Sequence, residues 1–288
     1  MFKNLPKKKD YFDWFMKSSP DLIVISDSNH KVLECSDSTE KFLGYAKKEL
    51  IGKSISELYY NPADRYKLLR LLEKTGSVID YETRLKTKSG RMVPISTSMT
   101  YYRDEKGRVL GTLGLAKDIR RRKELEQKLA LMAITDGLTR LYDRGHFNVM
   151  VNKAVDNANR HKSPLSFIML DLDGFKEYND TNGHLEGDRV LNTVGHVLHE
   201  MIRPKTDTAY RYGGDEFVIL LPGLFEDAAT RIAEKIRRKI EHLFKHKITG
   251  SIGVSRLRPY QSSYSLIKSA DEAMYKSKKA GGNRVSVG

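Results

Sequence analysis

Paired acidic residues interrupt two otherwise apolar stretches of the sequence. Asp215 and Glu216 directly follow two glycines in "RYGGDEFVILLP", and the apolar residues 167–170 lead into Asp171 and Asp173 in "FIMLDLDGFK". Aspartate is a poor strand residue, so a strand pattern alone does not account for these carboxylates. If the two strands are neighbours, Asp171 and Asp215 lie close together and must share a proton or bind a cation.

Carboxylates placed in this way could hold a metal ion and a phosphate. Carboxylate oxygens suit Mg²⁺, which keeps several waters and usually completes its coordination with substrate phosphate. After Asp173 the chain turns at Gly174 into the predicted helix "FKEYND", whose first N–H groups can bind an anion. Acids, metal and phosphate are therefore expected to meet at one edge of a sheet. The alternative is an exposed turn that carries ordinary surface acids.

The two glycines before the acids have a structural explanation of their own. Gly213 and Gly214 stand between two predicted strands, and they fit a two-residue hairpin turn that requires positive φ. This turn would hold Asp215 and Glu216 at the start of the second strand. The sequence contains no G-x-x-x-x-G-K-[ST] segment, which excludes a P-loop NTPase.

The elements that must position these residues are predicted from hydrophobic spacing. Residues 134–288 alternate between helix and strand patterns, which predicts a sheet with helices packed against it. In residues 10–118, short strands surround a helix-rich middle, and "KSG" and "RDEKG" are typical of hairpin turns. The pattern predicts an antiparallel sheet with helices there, so the fold class is α+β in both parts.

A helix is predicted between the two parts. Residues 119–132, "IRRRKELEQKLALM", contain neither Gly nor Pro, and Leu125, Leu129 and Met132 follow the spacing of a coiled-coil seam. Two heptads are too few to distinguish a coiled coil from a helix that packs on its own domains. Both alternatives stay open for this linker helix.

Composition limits the classes of protein to which the chain can belong. Of the 288 residues, 39% are hydrophobic and 31% are charged, and no apolar run reaches the roughly 18 residues of a membrane span. No apolar signal core follows the basic residues 1–9, so we expect a cytoplasmic protein without a membrane partner. The single cysteine, Cys35, excludes an internal disulfide framework and a cysteine-rich zinc site.

The net charge of +14 raises the question of nucleic-acid binding, because Lys and Arg neutralise phosphates. The positive residues are spread over the basic tail, the linker helix, a later helix and the C-terminal segment. Solvated helix faces explain such a distribution. We therefore do not expect a nucleic-acid partner.

Taken together, the motifs resemble those of a known family. "RYGGDEF" is the signature of the GGDEF domain of diguanylate cyclases, and other family motifs stand in order over residues 134–288: "TDGLTRLYDR", "FIMLDLDGFKEYNDTNGHLEGDRVL", "GSIGV" and "ADEAMYKSKKAGGNR". The resemblance implies a palm-like sheet flanked by helices. It also implies condensation of two GTP into cyclic di-GMP and two pyrophosphates, with one GTP on each subunit of a homodimer.

The resemblance implies roles for individual positions. Asp171, Asp215 and the carbonyl of Leu172 match the Mg²⁺ ligands of the family, with Mn²⁺ as a substitute. Glu216 matches a residue that either contacts the metal or helps to deprotonate the 3′-hydroxyl, and Lys176 neutralises phosphate beside it. The substrate-binding residues implied in this way are Gly174 and Phe175 at the triphosphate, Lys278 on the phosphates, and Asn179 and Asp188 on the guanine.

The sequence departs from the family at three places. In the family's product-inhibition motif, R-x-x-D, Asp207 matches the last residue, but Pro204 stands in place of the Arg and Arg203 lies one residue early. We therefore expect the product-inhibition site to be absent. Gly282 replaces a phosphate-binding Arg of many members, and Asp143 replaces a common Asn.

Residues 10–118 resemble a PAS sensor domain. The segments "DLIVISD", "FLGYAKKELIGKSISEL", "TKSGRMVPISTS" and "GTLGLAKDIRRRKELE" follow that family's order, which implies five antiparallel strands and helices that can enclose a ligand. His30 is the only histidine before His146, so a His-ligated haem is not expected. Cys35 lies in "ECSD", which does not match a flavin-adduct motif. The PAS ligand is therefore unknown, and the alternatives are a small molecule or dimerisation without a ligand.

These observations predict a PAS-regulated diguanylate cyclase in four segments. They are a basic tail (1–9), a PAS sensor domain (10–118), a linker helix (119–133) and a GGDEF cyclase domain (134–288). The alternative is a catalytically silent GGDEF nucleotide sensor that binds GTP or product and acts through dimerisation.

Overall fold

The computed structural model describes residues 8–288. Of the basic tail predicted for residues 1–9, residues 1–7 lie outside the described residues, and Lys8 already begins the first helix. Contacts within the chain divide it into unit 1 (Met1–Gln127) and unit 2 (Lys128–Gly288).

Unit 1 contains an antiparallel sheet with helices packed against it. Its described elements in chain order are α1 (Lys8–Ser18), β1 (Leu22–Asp27), β2 (Val32–Cys35), α2 (Ser38–Leu43), α3 (Lys47–Leu50), a 3₁₀ helix (Ile55–Leu58), α4 (Pro62–Thr75), β3 (Ser77–Lys86), β4 (Met92–Arg103) and β5 (Val109–Asp118). The described strands form a five-stranded sheet in the order β2-β1-β5-β4-β3, and every paired neighbour is antiparallel. The antiparallel α+β arrangement predicted for this part is confirmed.

Helix α4 begins and ends where its sequence dictates. The side chain of Asn61 accepts a hydrogen bond from the Ala63 N–H, and Pro62 occupies the first turn, where no N–H is needed. Gly76 ends the helix in the left-handed conformation, at a φ of +76°. Leu68 and Leu72 are fully buried in the core of unit 1, so this face of the helix packs against the sheet.

Helix α5 (Arg120–Met132) follows β5 and extends across the boundary between the units. It has no buried residue. The three apolar side chains of the predicted seam are exposed, Leu125 at 50%, Leu129 at 65% and Met132 at 69%. In the described chain, therefore, this seam is not covered.

Unit 2 is a mixed sheet flanked by helices. Its described elements are α6 (Arg144–His161), β6 (Leu165–Asp173), α7 (Phe175–Asn182), α8 (His184–Met201), β7 (Thr208–Gly213), β8 (Glu216–Pro222), α9 (Glu226–Leu243), β9 (Thr249–Arg256), α10 (Ser263–Lys279) and β10 (Arg284–Val287). The strand order is β10-β9-β6-β8-β7, with β10 parallel to β9 and the other pairs antiparallel. No helix among the described residues is both long and apolar enough to cross a membrane.

Strand β6 occupies the centre of this sheet and is buried on both faces. Ile168 and Leu170 belong to an apolar cluster with residues of α8 and α9, whereas Phe167 and Met169 belong to a cluster with residues of α6 and α10. A strand covered on both sides reads as a continuous apolar run, as the sequence does here. The sheet with packed helices predicted for this part is confirmed.

The hairpin between β7 and β8 differs from the prediction by one residue. Gly213 still belongs to β7 and pairs with Glu216, so the turn residues are Gly214 and Asp215. Only Gly214 has a positive φ, at +54°, as in a type II′ turn, where the first central residue alone needs it. The predicted Gly213–Gly214 turn was therefore wrong. Asp215 lies in the turn itself rather than after it.

Candidate active site

Asp171 lies on the central strand of unit 2, beside the turn that carries Asp215. Strands β6 and β8 pair so that Asp171 is directly opposite Glu216. Asp171 is 6% exposed, and it lines an open cleft of about 540 Å³ together with Asp215. Glu216 lies beside this cleft rather than in its wall. The neighbouring strands thus bring the paired acids and Asp171 to one end of the sheet.

Burial, together with the neighbouring acids, changes the protonation of Asp171. Burial raises its pKa, the hydrogen bond from Lys278 lowers it, and the charges of Asp215 and Glu216 raise it, with a resulting pKa of about 6. Like charges opposite each other on neighbouring strands also destabilise the sheet. A bound cation would relieve this repulsion and favour the ionised carboxylate.

Lys278 is the cation that the chain itself supplies to Asp171. It lies in the last turn of α10, and its Nζ is 2.7 Å from Asp171 Oδ2. Partial burial lowers the pKa of Lys278, but the hydrogen bond to Asp171 and the charges of Asp171, Asp215 and Asp173 raise it by more. The ammonium is therefore held in the wall of the cleft, next to the predicted metal ligand.

Asp173 is fixed by the protein, although it follows the same alternation along β6 as Asp171. Its Oδ1 accepts a hydrogen bond from Ser251 Oγ at 2.6 Å. Its Oδ2 accepts from Thr249 Oγ1 at 2.8 Å and from the Asn283 N–H at 2.9 Å. These bonds tie the end of β6 to β9 and to the residue before β10, so Asp173 has a structural role.

The position of Asp173 also explains Gly282. The φ of Gly282 is +72°, and a Cβ there would lie 2.9 Å from Asp173 Oδ2. A side chain such as the family's Arg would be strained and would displace the anchored carboxylate. Lys176 and Lys278 are then the lysines that line the cleft and can neutralise phosphate.

The start of α7 forms another wall of the cleft. Gly174 has a φ of +75°, which lets the chain turn sharply from β6 into the helix. Phe175 is buried and anchors the turn in the core, whereas Lys176 is exposed; both line the cleft, as does Leu172. N–H groups at the start of a helix attract anions, and Lys176 adds a positive charge.

Asn179 on α7 and Asp188 on α8 lie outside the wall of this cleft. Asn179 is packed so closely against Gly187 that a Cβ at position 187 would lie 1.6 Å from Asn179 Oδ1. Asn179 Oδ1 is buried and accepts no hydrogen bond from the described residues, whereas Asp188 is exposed. A buried acceptor without a donor is costly, so this position suits a ligand that donates a hydrogen bond.

Arg211 is the first residue of the "RYGGDEF" signature, but the sequence pattern predicts no role for it. Its guanidinium donates to the Gly214 carbonyl at 2.9 and 3.0 Å and forms an ion pair with Asp136 at 3.1 Å. Asp136, in the "TDGLTR" motif, also accepts hydrogen bonds from the N–H and the hydroxyl of Thr139, both at 2.8 Å. These contacts hold the turn that carries Asp215 to the first motif of the domain.

The cleft offers the donors that a hard divalent cation needs. Asp171, Asp215 and Leu172 all line it, so two carboxylates and a backbone carbonyl are the groups that could serve as ligands. Within residues 8–288, no three His, Cys, Asp or Glu side chains are grouped closely enough to form a metal site alone. Two carboxylates and a carbonyl fit a cation that completes its coordination with water and phosphate.

Asp207, the one matching residue of the family's product-inhibition motif, is bonded to Arg203, which lies one residue before the position of the motif's Arg. Asp207 is buried, and Arg203 forms a two-pronged ion pair with it, Nη2 to Oδ1 at 2.6 Å and Nε to Oδ2 at 3.0 Å. Arg203 Nη2 also donates to the Pro222 carbonyl at 2.7 Å. This arginine is therefore used within the fold.

The third departure from the family, Asp143, has a local structural role. It precedes α6, and its Oδ1 accepts a hydrogen bond from the His146 N–H at 2.7 Å. Aspartate and asparagine are both favoured at this capping position, so the replacement preserves the start of the helix.

Comparisons with known proteins agree with the two units. Residues 133–284, more than half of the chain, match the family described as "Diguanylate cyclase, GGDEF domain", and residues 11–119 match the "PAS fold". "Diguanylate cyclase DosC" of Escherichia coli (strain K12) is 37% identical over 159 residues, 53% of this chain and 34% of that protein. "Diguanylate cyclase A" of Treponema denticola is 36% identical over 170 residues, 56% of this chain and 46% of that protein. The chain thus spans between about a third and a half of these curated relatives.

A solved structure gives the same assignment for unit 2. The coiled coil and GGDEF domain of DgcB from Caulobacter crescentus, in complex with c-di-GMP, is 31% identical with a TM-score of 0.55, and the match covers 59% of this chain and 93% of that one. Proteins of this family generally use a divalent metal ion. The chain belongs to the GGDEF-domain diguanylate cyclase family and carries a PAS domain before its GGDEF domain.

Proposed function

We propose that this chain condenses two GTP into cyclic di-GMP and two pyrophosphates. In each step, the 3′-hydroxyl oxygen of one GTP attacks the α-phosphorus of the other, the bond to pyrophosphate breaks and the hydroxyl proton is lost. The observation that carries the proposal is one cleft in which Asp171, Asp215, Lys278 and the helix start after Gly174 meet. Acids, a lysine and free N–H groups are what a metal-bound triphosphate requires.

Mg²⁺ is the cofactor that we propose for this cleft, with Mn²⁺ as a substitute. Asp171, Asp215 and the carbonyl of Leu172 would hold it. When bound, such a cation stabilises charge on the entering and leaving oxygens. Glu216, opposite Asp171 on the next strand, is close enough to the cluster either to contact the cation or to accept the 3′-hydroxyl proton.

The phosphates and the base would be bound by residues on α7, α8 and α10. The N–H groups after Gly174 and around Phe175 bind phosphate oxygens, and Lys176 and Lys278 neutralise phosphate charge. Asn179 and Asp188 read the guanine, whose N1–H and amino group are donors. The buried, unbonded Asn179 Oδ1 supports this assignment, because guanine supplies a donor that adenine does not place there.

A homodimer is part of the proposal, because each cleft would hold one GTP and the reaction joins two. The catalytic gain then comes from holding two substrates in the correct orientation. The exposed seam of α5, formed by Leu125, Leu129 and Met132, supports pairing with a second copy through a coiled coil. The PAS domain would regulate activity through this helix.

The segments and the location follow from the same proposal. Residues 10–118 would form the PAS sensor domain, 119–133 the linker helix and 134–288 the cyclase domain, in a cytoplasmic protein without a nucleic-acid partner.

The proposal is tested by incubation of the purified chain with GTP and Mg²⁺, with products separated by chromatography. We expect cyclic di-GMP from GTP, none from ATP, and loss of product in Asp215→Ala or on addition of EDTA. If wild-type protein at high concentration binds GTP but forms no product, the chain is a silent nucleotide sensor and the proposed activity is wrong.

A further inference from the structure

Unit 1 contains an arginine in a position normally taken by an apolar residue. Arg65 lies on α4, three residues before Leu68 and seven before Leu72, and therefore on the same face of the helix. Both leucines are fully buried, and Arg65 is only 1% exposed. Its side chain thus enters the core of the domain rather than solvent.

The described structure gives this guanidinium weak partners. Its Nη1 donates to Met99 Sδ at 2.8 Å, its Nη2 donates to Thr112 Oγ1 at 3.4 Å, and the ring of Tyr59 lies 5.9 Å away. Burial raises the pKa of the Tyr59 phenol, whereas the charge of Arg65 and a hydrogen bond from it lower that pKa, so this neutral phenol is a further partner. Nε is buried and donates to nothing in the described chain. A thioether is a weak acceptor, and 3.4 Å is long for a hydrogen bond.

No carboxylate among the described residues lies within ion-pair distance of Arg65. The neighbouring acid, Asp64, instead faces Lys67 at 3.7 Å and Thr83 Oγ1 at 3.4 Å. Burial lowers the pKa of His30, and the positive charge of Arg65 lowers it further. No described carboxylate therefore neutralises the charge in the core.

An unpaired guanidinium cannot lower the cost of its burial by losing its proton, because arginine stays protonated in proteins. Burial of a charge without a counterion is strongly unfavourable, and a cation–π contact compensates only part of it. A stable domain with this arrangement therefore calls for an anion beyond the described side chains.

The anion has a place in the structure. Arg65 lines a cavity of about 30 Å³, whose polar wall also includes Tyr59, Thr97 and Thr112. The rest of the wall is mostly aliphatic, including Leu22, Val24, Ile55, Leu85 and Ile95. Gly114 leaves space at this wall, because a Cβ there would meet only the Val24 carbonyl, at 3.8 Å. The cavity is therefore small, with one cationic end and apolar surroundings.

We propose that this cavity of the PAS domain binds a short-chain monocarboxylate. The carboxylate lies against the Nε edge of Arg65, which matches it in a two-pronged geometry, and within reach of the Thr112 hydroxyl. The short alkyl group packs against the aliphatic wall, with Met99 as the flexible side chain that adjusts to it. A di- or tricarboxylate does not fit, because one guanidinium neutralises only one charge. Phosphate does not fit either, because its remaining oxygens would face the aliphatic wall without hydrogen-bond donors.

The test uses the full chain, dialysed exhaustively into HEPES-sulfate buffer that contains no carboxylate. Sodium formate, acetate and propionate are titrated by calorimetry and by thermal unfolding, at constant ionic strength. Acetamide, which has the shape of acetate without its charge, is the matched neutral control, and sodium nitrate and chloride are the matched anions. We expect saturating acetate or propionate to raise Tm by about 3 °C or more, and acetamide to leave it unchanged.

Three variants separate binding from a structural role of the arginine. Arg65→Met retains the length of the side chain without its charge, and we expect it to abolish carboxylate binding and to unfold at or above the wild-type Tm in carboxylate-free buffer. Lys67→Met removes an exposed charge from the same helix and should bind normally. Gly114→Ala keeps Arg65 but fills the cavity, and it should reduce carboxylate affinity by at least about tenfold.

Several results would overturn the proposal. One is carboxylate binding by Arg65→Met with unchanged affinity. Another is equal or tighter binding of nitrate or chloride, which would make the cavity a general anion site. A third is the absence of any carboxylate response in wild type; a lower Tm of Arg65→Met would then show that Arg65 serves only packing. If Arg65→Met does not fold, normal acetate binding by Gly114→Ala would contradict the assignment by itself.

Discussion

In unit 2, acids gather at an open cleft where Lys278 pairs with Asp171, whereas in unit 1 a single Arg65 is buried in a mostly apolar core where no described carboxylate pairs with it. Water and ions reach the cleft and screen its excess negative charge. Arg65 is buried, so solvent does not screen its charge in this way. The unbalanced charge in each place indicates a ligand of the opposite charge: a cation for the acids of unit 2 and an anion for Arg65 of unit 1.

The strongest test of this comparison is neutralisation of the buried acid in the cleft. We expect Asp171→Asn to lower the rate of cyclic di-GMP formation by about 1,000-fold or more, because a cation held by this carboxylate contributes several kcal/mol to the reaction. Product formation per minute at saturating GTP and Mg²⁺ is the measurement. Asp156→Asn, an exposed change on α6, is the control, and near-normal activity of Asp171→Asn would contradict the metal assignment.

Removal of the compensating cation should have a smaller effect. Lys278→Met removes one charged hydrogen bond, worth about 1.5–3 kcal/mol, so we expect kcat/KM for GTP to fall by about 10- to 100-fold. Lys276→Met removes an exposed lysine from the same helix and is the matched control. Equal effects of the two changes on kcat/KM would show that Lys278 acts only through net charge.

The packing of Asn179 against Gly187 provides a sharper test of base recognition. Gly187→Ala should displace the Asn179 side chain and raise KM for GTP by about tenfold, the value of roughly one hydrogen bond. Asn179→Ala should have a similar effect, and the double variant should be no worse than either single one, because both changes remove the same contact. Additive losses in the double variant would show that Gly187 matters for another reason.

The smallest effect is expected where the charges are already balanced. Because Arg203 and Asp207 satisfy each other, addition of cyclic di-GMP should leave the initial rate nearly unchanged. The rate is measured over a series of product concentrations, and calorimetry measures binding directly. Submicromolar binding of product at this motif, lost in Arg203→Ala, would refute the prediction. It would also show that a charge already paired within the fold can still bind a ligand.

Much of the cleft was predictable because acidic residues interrupt the apolar strand patterns there. A central apolar strand that ends in Asp171, and a glycine pair followed by Asp215 and Glu216, have no explanation in packing alone. The exact turn was not predictable: one residue of register decides whether Gly213 or Asp215 belongs to it, and only strand pairing fixes that register. The roles of the individual site residues stay predictions.

The residues that the pattern missed depend on partners far along the chain. Arg211 and Asp136 are 75 residues apart, so the sequence around one gives no indication of its contact with the other. Strand β10 has only four residues, too few for a clear alternation. For Arg65 a signal did exist, because it occupies the apolar stripe of α4 with Leu68 and Leu72, although an arginine in a charged helix is easily taken for a surface residue.

The bonds of Asp173 have a consequence for how the protein is made. Its partners Thr249, Ser251 and Asn283 come 76, 78 and 110 residues later in the chain. Domains usually fold in the order in which the ribosome releases them, and contacts of such sequence separation form late. Unit 1 can therefore fold during translation, whereas the end of strand β6 is secured only when Asn283 has emerged from the ribosome. Under the proposed functions, a nascent chain would bind its PAS ligand before it could form cyclic di-GMP.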